Sequence, residues 1–327
     1  MADIKIEPIE PYALSNKVKV KTLFSRIGVI GCGIEAQGIA RIASWYGMEV
    51  VLVAKDQERV EKAINGISKE LDKRIQSWGL TPSEKRAIMG RIEGSVECSS
   101  VAGCDFVIEA IPANPDTGHR DLNERKRIFR DVEKVVDDDA IIATNATTIV
   151  ITELASELKK RDRTVSLHFF VSSPEAKIIE VVKGLYTSDP VYERVCKFVE
   201  LINRDVIPVM ESAGIVSMRL YVALLNEACH TLMEGVASMS DIDKTMEIGM
   251  GMRFGPFRSA DFIGLEKVVI WMENLYEEFG QMKYKPAPLL RRLVRAKRLG
   301  IHTKAGFYKY DDEGNIIAED FLSGKIG

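Results

Sequence analysis

Two short apolar runs of this chain each hold one side chain suited to acid–base chemistry. His168 lies in residues 166–170 (SLHFF), and Glu180 lies in residues 178–182 (IIEVV). An imidazole exchanges protons near neutral pH, and a neighbouring carboxylate can orient the ring and stabilise its cation. Next to a hydride acceptor, this pair would interconvert an alcohol and a ketone. On the residues alone, His168 could instead be a buried histidine that packs against the phenylalanines after it.

A glycine-rich turn upstream of these residues predicts a dinucleotide site. Residues 31–38 (GCGIEAQG) follow a predicted strand and open a predicted helix, which is the context that gives the pattern meaning. The first glycine permits a tight turn, the second lets a pyrophosphate approach the backbone, and the helix N-terminus attracts the anion. A turn that only packs the helix against the strand is the alternative. The predicted cofactor contacts are Gly31, Gly33, Ile34, Ala36 and Gly38.

The end of the second predicted strand bears on the choice between NAD and NADP. An acid at this position commonly binds the adenosine ribose of NAD. Here residues 50–53 are followed by Ala54, Lys55 and Asp56. Ala54 replaces the acid, Lys55 could attract a 2′-phosphate, and Asp56 could bind the ribose after a small backbone shift. The pattern leaves NAD and NADP both open, with solvated turn residues as the alternative for Lys55 and Asp56.

The apolar runs that would position these side chains alternate with helical segments. This alternation predicts an α/β fold with a mainly parallel, doubly wound sheet. Beyond residue 208 strand signals are few, and long apolar segments such as 214–235 predict an all-helical domain. We expect an N-terminal arm at 1–25, a dinucleotide-binding domain at 26–208 and a helical domain at 209–327.

Composition narrows the classes of protein to consider. A chain of 327 residues, 46% hydrophobic and 28% charged, is long enough for two domains. The net charge of −3 and the pI near 6.0 argue against nucleic acid or an anionic membrane as a partner. Five cysteines without a Cys-x-x-Cys pattern indicate reduced thiols rather than disulfides or a metal site. With no signal-peptide pattern and no apolar run long enough to span a membrane, we expect a cytoplasmic protein.

Six motifs, taken in order along the chain, resemble the L-3-hydroxyacyl-CoA dehydrogenase family. They are residues 107–112 (VIEAIP), 143–148 (ATNATT), 167–170 (LHFF), 255–257 (GPF), 261–265 (DFIGL) and 306–310 (GFYKY). The resemblance implies an N-terminal Rossmann-type domain, a helical C-terminal domain that forms a homodimer, and a substrate cleft between the two domains.

The same resemblance implies roles for individual residues. His168 corresponds to the family's catalytic histidine, Glu180 to its paired glutamate, and Thr147 to a serine that contacts substrate and nicotinamide. His168 would take the proton from the 3-hydroxyl while a hydride passes to the nicotinamide, and Glu180 would favour the imidazolium. Thr147 could instead only cap the helix that follows it.

Further cofactor contacts are predicted within and beside the matching motifs. They are Ala110, Ile111 and Asn145, with a cation from Arg125 or Lys126. The mechanism that the resemblance implies would then have both a nucleotide site and an acid–base pair.

The chain departs from the family pattern at four places. Met218 stands at a catalytic asparagine position, and the adjacent Ser217 is expected to point about 100° away from it on a helix. Residues 171–172 replace an Asn-Pro, the loop at 113–121 is extended, and residues 76–81 lack a lysine that contacts CoA. These changes affect the walls of the site, and they favour a shift in specificity.

Together these observations predict an NAD(P)-dependent oxidoreductase of fatty acid metabolism that acts on a 3-hydroxyacyl-CoA. Two alternatives stay open, namely a dehydrogenase of a free 3-hydroxy acid and a non-catalytic NAD(P)-binding dimer.

Overall fold

The computed structural model of the protein describes residues 24–112, 122–170 and 176–319. Most of the predicted N-terminal arm, the extended loop at 113–121 and the exchanged pair at 171–172 lie outside these residues.

Runs of four to six residues, at least half of them apolar in every strand but β3, form the strands of the first domain. β1 and β4 are buried along almost their whole length, as expected for parallel strands covered by helices on both faces. The strands are β1 (Arg26–Ile30), β2 (Glu49–Val53), β3 (Ile92–Ser95), β4 (Phe106–Glu109), β5 (Ile141–Thr144), β6 (Thr164–Phe169), β7 (Ile178–Lys183) and β8 (Asp205–Met210).

Helices cover both faces of this sheet. They are α1 (Ile34–Trp45), α2 (Gln57–Gln76), α3 (Pro82–Met89), α4 (Leu122–Val135), α5 (Ile151–Ala155) and α6 (Asp189–Leu201). The turn between α2 and α3, at the predicted departure in residues 76–81, carries an almost fully exposed Trp78.

Among the described residues, eight strands form one sheet in the order β3-β2-β1-β4-β5-β6-β7-β8. All neighbours are parallel except β6 and β7, which are antiparallel. The carboxyl ends of β1, β4, β5 and β6 therefore meet at one edge, where ligands bind in sheets of this kind. The prediction of a doubly wound, mainly parallel sheet is confirmed.

The predicted domain boundary at residue 208 falls inside the edge strand β8, where Pro208 pairs with Val181. Proline is tolerated on an edge strand because its missing N–H faces outward. The division of the chain at that residue stays a prediction.

The second domain is built on the long helix α7 (Ile215–Met233). It continues with α8 (Met239–Lys244), a π-helical turn (Thr245–Gly249), α9 (Pro256–Ile263), α10 (Leu265–Phe279) and α11 (Pro288–Arg295). A short hairpin of β9 (Tyr308–Tyr310) and β10 (Ile316–Glu319) follows, which the sequence did not predict.

Two buried aspartates hold this domain together. Asp261 accepts hydrogen bonds from the backbone of Phe307 and Tyr308, and Asp243 accepts them from Phe257 and Arg258. In the described part of the chain, every helix is too short or too polar to cross a membrane.

Candidate active site

The predicted acid–base pair is formed directly by strand register. His168 on β6 and Glu180 on β7 are cross-strand partners in the antiparallel ladder, so their side chains lie on the same face of the sheet. His168 Nδ1 lies 2.7 Å from Glu180 Oε2. The imidazole is 13% exposed and the carboxylate 3%, so the pair is screened only weakly by water. The other ring nitrogen, Nε2, takes no part in this bond.

A third side chain, Ser217 in the first turn of α7, joins the pair. Its backbone N–H donates to Glu180 Oε1 at 3.0 Å, and its hydroxyl donates to Oε2 at 2.6 Å. The hydroxyl oxygen is also 3.2 Å from His168 Nδ1. The predicted angle between Ser217 and Met218 turns the serine toward the acid–base pair, while Met218 is buried. Sequence reasoning therefore undervalued Ser217.

These contacts determine the charge state of Glu180. Burial by itself would raise the pKa of this carboxyl. Hydrogen bonds from His168 and Ser217 outweigh it, and together they hold the pKa of Glu180 below its ordinary value of 4.5. Glu180 is thus a carboxylate at neutral pH, and it can orient the imidazole and stabilise an imidazolium.

The loop after β5 lies between this pair and the glycine turn. Asn145 is buried, and its side-chain oxygen accepts a hydrogen bond from the Phe169 N–H at 3.1 Å, next to His168. The carbonyl of half-buried Thr147 accepts from the Gly214 N–H at 2.7 Å, at the start of α7. The predicted Asn145 and Thr147 therefore lie at the same sheet edge as the acid–base pair.

The glycine turn has the shape of a nucleotide cradle. Gly31 has a φ of +136°, and a Cβ at this residue would lie 2.4 Å from the Ala110 carbonyl oxygen. Gly33, the residue before α1, has no heavy atom within 4 Å of an added Cβ and provides no side-chain cap for the helix. The open space and the uncapped N–H groups fit a dinucleotide pyrophosphate.

The other residues of the turn have different surroundings. Ile34 is 69% exposed, whereas Ala36 and Gly38 are buried against the sheet. Ala36 and Gly38 therefore serve the close approach of α1 to the strands, while Ile34 is open to a ligand.

Glu35 lies in the crevice between the two domains. Burial raises its pKa, while the cations of Lys267 on α10 and His168 act in the opposite direction. The carboxyl of Glu35 is therefore influenced by charged groups of both domains.

At the end of β2, both charged candidates for the ribose are engaged within the protein. Asp56 caps α2, accepting from the Arg59 N–H at 2.8 Å. Lys55 forms an ion pair with Glu124 at 3.3 Å, and Ala54 is buried. The Asp56 carboxylate already satisfies a helix end, and its binding to the ribose stays a prediction.

At the end of β4, a buried ion pair shapes the loop that contains the predicted Ala110 and Ile111. Arg125 pairs with Glu109, and both side chains are almost inaccessible. Glu109 accepts from the Ile111 N–H at 2.7 Å, and Arg125 donates to the Ile111 carbonyl at 2.8 Å. Arg125 thus positions the backbone beside Gly31, and its guanidinium is already bound inside the protein. Sequence reasoning did not select Glu109, although it lies within a matching motif.

An uncapped glycine turn and a histidine–carboxylate pair share one edge of a doubly wound sheet, against a helical second domain. This combination defines a two-domain, nicotinamide-dependent dehydrogenase.

Among the described residues there is no cluster of side chains able to bind a metal ion.

Comparison with known proteins identifies the family within this class. The 3-hydroxyacyl-CoA dehydrogenase NAD binding domain matches residues 26–212, and the C-terminal domain of the same family matches residues 214–310. The chain belongs to the 3-hydroxyacyl-CoA dehydrogenase family.

Individual relatives resemble the chain over nearly all their length. It is 33% identical to a 3-hydroxybutyryl-CoA dehydrogenase of Clostridioides difficile, covering 88% of this chain and 99% of the relative. It is 34% identical to a probable 3-hydroxybutyryl-CoA dehydrogenase of Deinococcus radiodurans, covering 87% and 100%. The crystal structure of (S)-3-hydroxybutyryl-CoA dehydrogenase from Ralstonia eutropha superposes with a TM-score of 0.80 at 34% identity, covering 88% and 100%.

Proposed function

We propose that this protein catalyses the reversible, NAD-dependent oxidation of a 3-hydroxyacyl-CoA to the 3-oxoacyl-CoA. The observation that supports this most is the 2.7 Å contact between His168 Nδ1 and Glu180 Oε2, at the sheet edge that the glycine turn shares. Names of relatives such as the Clostridioides difficile enzyme support the acyl-CoA substrate.

In this proposal, His168 and Glu180 divide the work of proton transfer. With Nδ1–H bonded to Glu180, Nε2 is the acceptor for the proton of the substrate 3-hydroxyl. The positive charge on the ring is then stabilised by the Glu180 carboxylate. A bound NAD, held at the glycine turn, would supply the hydride acceptor that the conversion of the alcohol to a ketone requires. In reduction, the imidazolium returns its proton to the carbonyl oxygen.

Thr147 and the glycine turn are proposed to bind and orient the reactants. Thr147 would contact the substrate and the nicotinamide through its hydroxyl, while Gly33 and Ile34 would lie against the pyrophosphate. We propose NAD over NADP because Lys55 is already paired with Glu124.

A nicotinamide absorbance assay tests the reaction. We expect acetoacetyl-CoA to consume NADH, and His168→Ala to lower kcat by about 10²- to 10⁴-fold without abolishing NADH binding. His302→Ala is the matched control, because His302 pairs with Glu266 at a half-exposed site. Turnover of free acetoacetate in preference to the thioester would favour the hydroxy-acid alternative. NADH binding without turnover of either compound would favour the non-catalytic one.

We also propose a homodimer formed through the helical domain, in a reducing compartment such as the cytoplasm. The helical domain exposes large apolar side chains at Val236, Ile248 and Met250, and all five cysteines are free thiols. Sedimentation equilibrium would measure the assembly, and a monomer would contradict it.

A further inference from the structure

Ser217 lies in the helical domain, and its polar atoms face the acid–base pair of the other domain. It is the third residue of α7, where the helix still has backbone N–H groups without partners inside it. Its own N–H donates to Glu180 Oε1. The partial positive charge of the helix N-terminus therefore acts on the buried carboxylate.

The hydroxyl of Ser217 acts on the other carboxylate oxygen. It donates to Glu180 Oε2 at 2.6 Å, the same atom that accepts from His168 Nδ1 at 2.7 Å. Its oxygen lies 3.2 Å from Nδ1, where it can receive a second branch of the Nδ1–H bond. Both carboxylate oxygens are thus fixed, and one of them is shared between the serine and the histidine.

We propose that Ser217 is a positioning residue of the acid–base pair, which fixes the Glu180 carboxylate and takes up part of its charge through the hydroxyl. This inference rests on the proposed dehydrogenase function of the pair. It also means that the pair is complete only when α7 is docked on β7.

A second contact at the same helix end supports this dependence on docking. The Gly214 N–H, just before α7, holds the Thr147 carbonyl at 2.7 Å. The start of α7 therefore fixes both the acid–base pair and the loop that carries the proposed substrate contact.

Loss of the Ser217 hydroxyl should change the acidity of the His168 ring in one direction. An oxygen that accepts a hydrogen bond from a hydroxyl has less negative charge available for the imidazolium. Without the hydroxyl, Oε2 should hold the protonated ring more tightly, and the ring should lose its proton only at higher pH. Among the described residues, Glu35 on α1 interacts electrostatically with His168 and with Lys267 on α10, and Glu35 and Lys267 are the same in every variant.

Three substitutions separate the hydroxyl from the rest of the site. Ser217→Ala removes it and keeps the backbone N–H, Ser217→Thr restores it, and Ser217→Cys replaces it by a weak donor of similar size. Ser212→Ala is the matched control, since Ser212 lies in the same interdomain segment and accepts from Arg219.

Two readouts are measured on each variant. The first is the pH titration of the histidine ring resonances by NMR, with His168 assigned by His168→Asn; the chain has four histidines. The second is the acid limb of the pH profile of kcat/KM for oxidation. We expect Ser217→Ala to raise both midpoints by about 0.5 to 1 pH unit. Ser217→Cys should raise them by less, and Ser217→Thr and Ser212→Ala should leave them at the wild-type value.

The outcomes decide between positioning and a merely structural role. Unchanged or lowered NMR midpoints in Ser217→Ala would overturn the proposal, even if the variant were less stable. If Ser217→Ala does not fold, the shift in Ser217→Cys decides in the same way. If the wild type turns over no 3-hydroxyacyl-CoA, the proposed function fails, but the NMR titration still tests the role of Ser217.

Discussion

At the scale of single residues, the carboxylate of Glu180 is closely constrained by its partners. It lies inside a sheet strand and receives hydrogen bonds from His168 and from both polar groups of Ser217. A carboxylate in such a position is stable only because these donors replace the water that burial removes. The proton transfer that we propose for His168 and the stability of the fold therefore depend on the same group.

The lowered pKa of Glu180 makes its contribution to stability dependent on pH. Because the folded-state pKa lies below the ordinary 4.5, the stabilisation is present above that pH and is lost as the pH falls through the folded-state value. We expect Glu180→Gln to unfold with about 2 kcal/mol less free energy than the wild type at neutral pH. Urea denaturation at pH values from 7 down to 3 measures this difference. The difference in unfolding free energy between the two proteins should become smaller toward acid pH. An equal difference at every pH would contradict this role of the Glu180 charge.

At the scale of elements, the turn between β1 and α1 contains two glycines with different tasks. Gly31 has a backbone conformation that side chains rarely adopt, and it touches the end of β4. Gly33 has an ordinary φ of −69° and faces open space. Gly31 is therefore required by the fold, and Gly33 is the glycine that we propose lies against the ligand.

Alanine at each position should separate these tasks. Gly31→Ala should lower the unfolding free energy by about 3 kcal/mol or more, because its Cβ meets the Ala110 carbonyl in a strained conformation. Gly33→Ala should change it by less than about 0.5 kcal/mol but raise the Kd for NADH about tenfold or more. Thermal unfolding and NADH fluorescence titration provide the two measurements. Equal NADH affinity in Gly33→Ala and wild type would count against a pyrophosphate at this turn.

At the scale of the whole molecule, a few hydrogen bonds join the loop after β5 to the helical domain. Asn274 on α10 donates to the buried Thr148 hydroxyl at 3.0 Å, and Gly214 donates to the Thr147 carbonyl. Together with the Ser217 contacts, these bonds keep the two domains in the arrangement that completes the site.

Thr148→Val tests this coupling because valine keeps the shape and removes the hydroxyl. We expect a loss of about 1 to 2 kcal/mol in unfolding free energy, since the Asn274 amide loses this acceptor in a buried place. Hydrogen exchange should increase at residues 147–148 and at the start of α7, while β1 and β2 remain protected. Exchange that increases equally across the sheet would indicate general destabilisation in place of a local loss of docking.

Much of the fold could be predicted because strand and helix patterns depend on neighbours in the chain. The buried runs of β1, β4 and β6 and the apolar stretch of α7 carry these patterns clearly. The edge strand β3 was missed because its residues are mostly solvent-accessible and lack an apolar run. The hairpin of β9 and β10 was missed because its strands are short and β9 lies within the aromatic motif at 306–310.

The sequence by itself determined the type of sheet and the glycine turn, and the family resemblance implied the pairing of His168 with Glu180. Only the tertiary structure decided what surrounds that pair. Ser217 comes from the other domain, Arg125 bonds Glu109 across a loop, and Asp56 caps a helix. The side-chain type of each of these residues permits hydrogen bonds with several different partners, so the sequence does not specify which one is used. Packing determines the partner, because it fixes the distances between the side chains and removes the water that would compete for their hydrogen bonds.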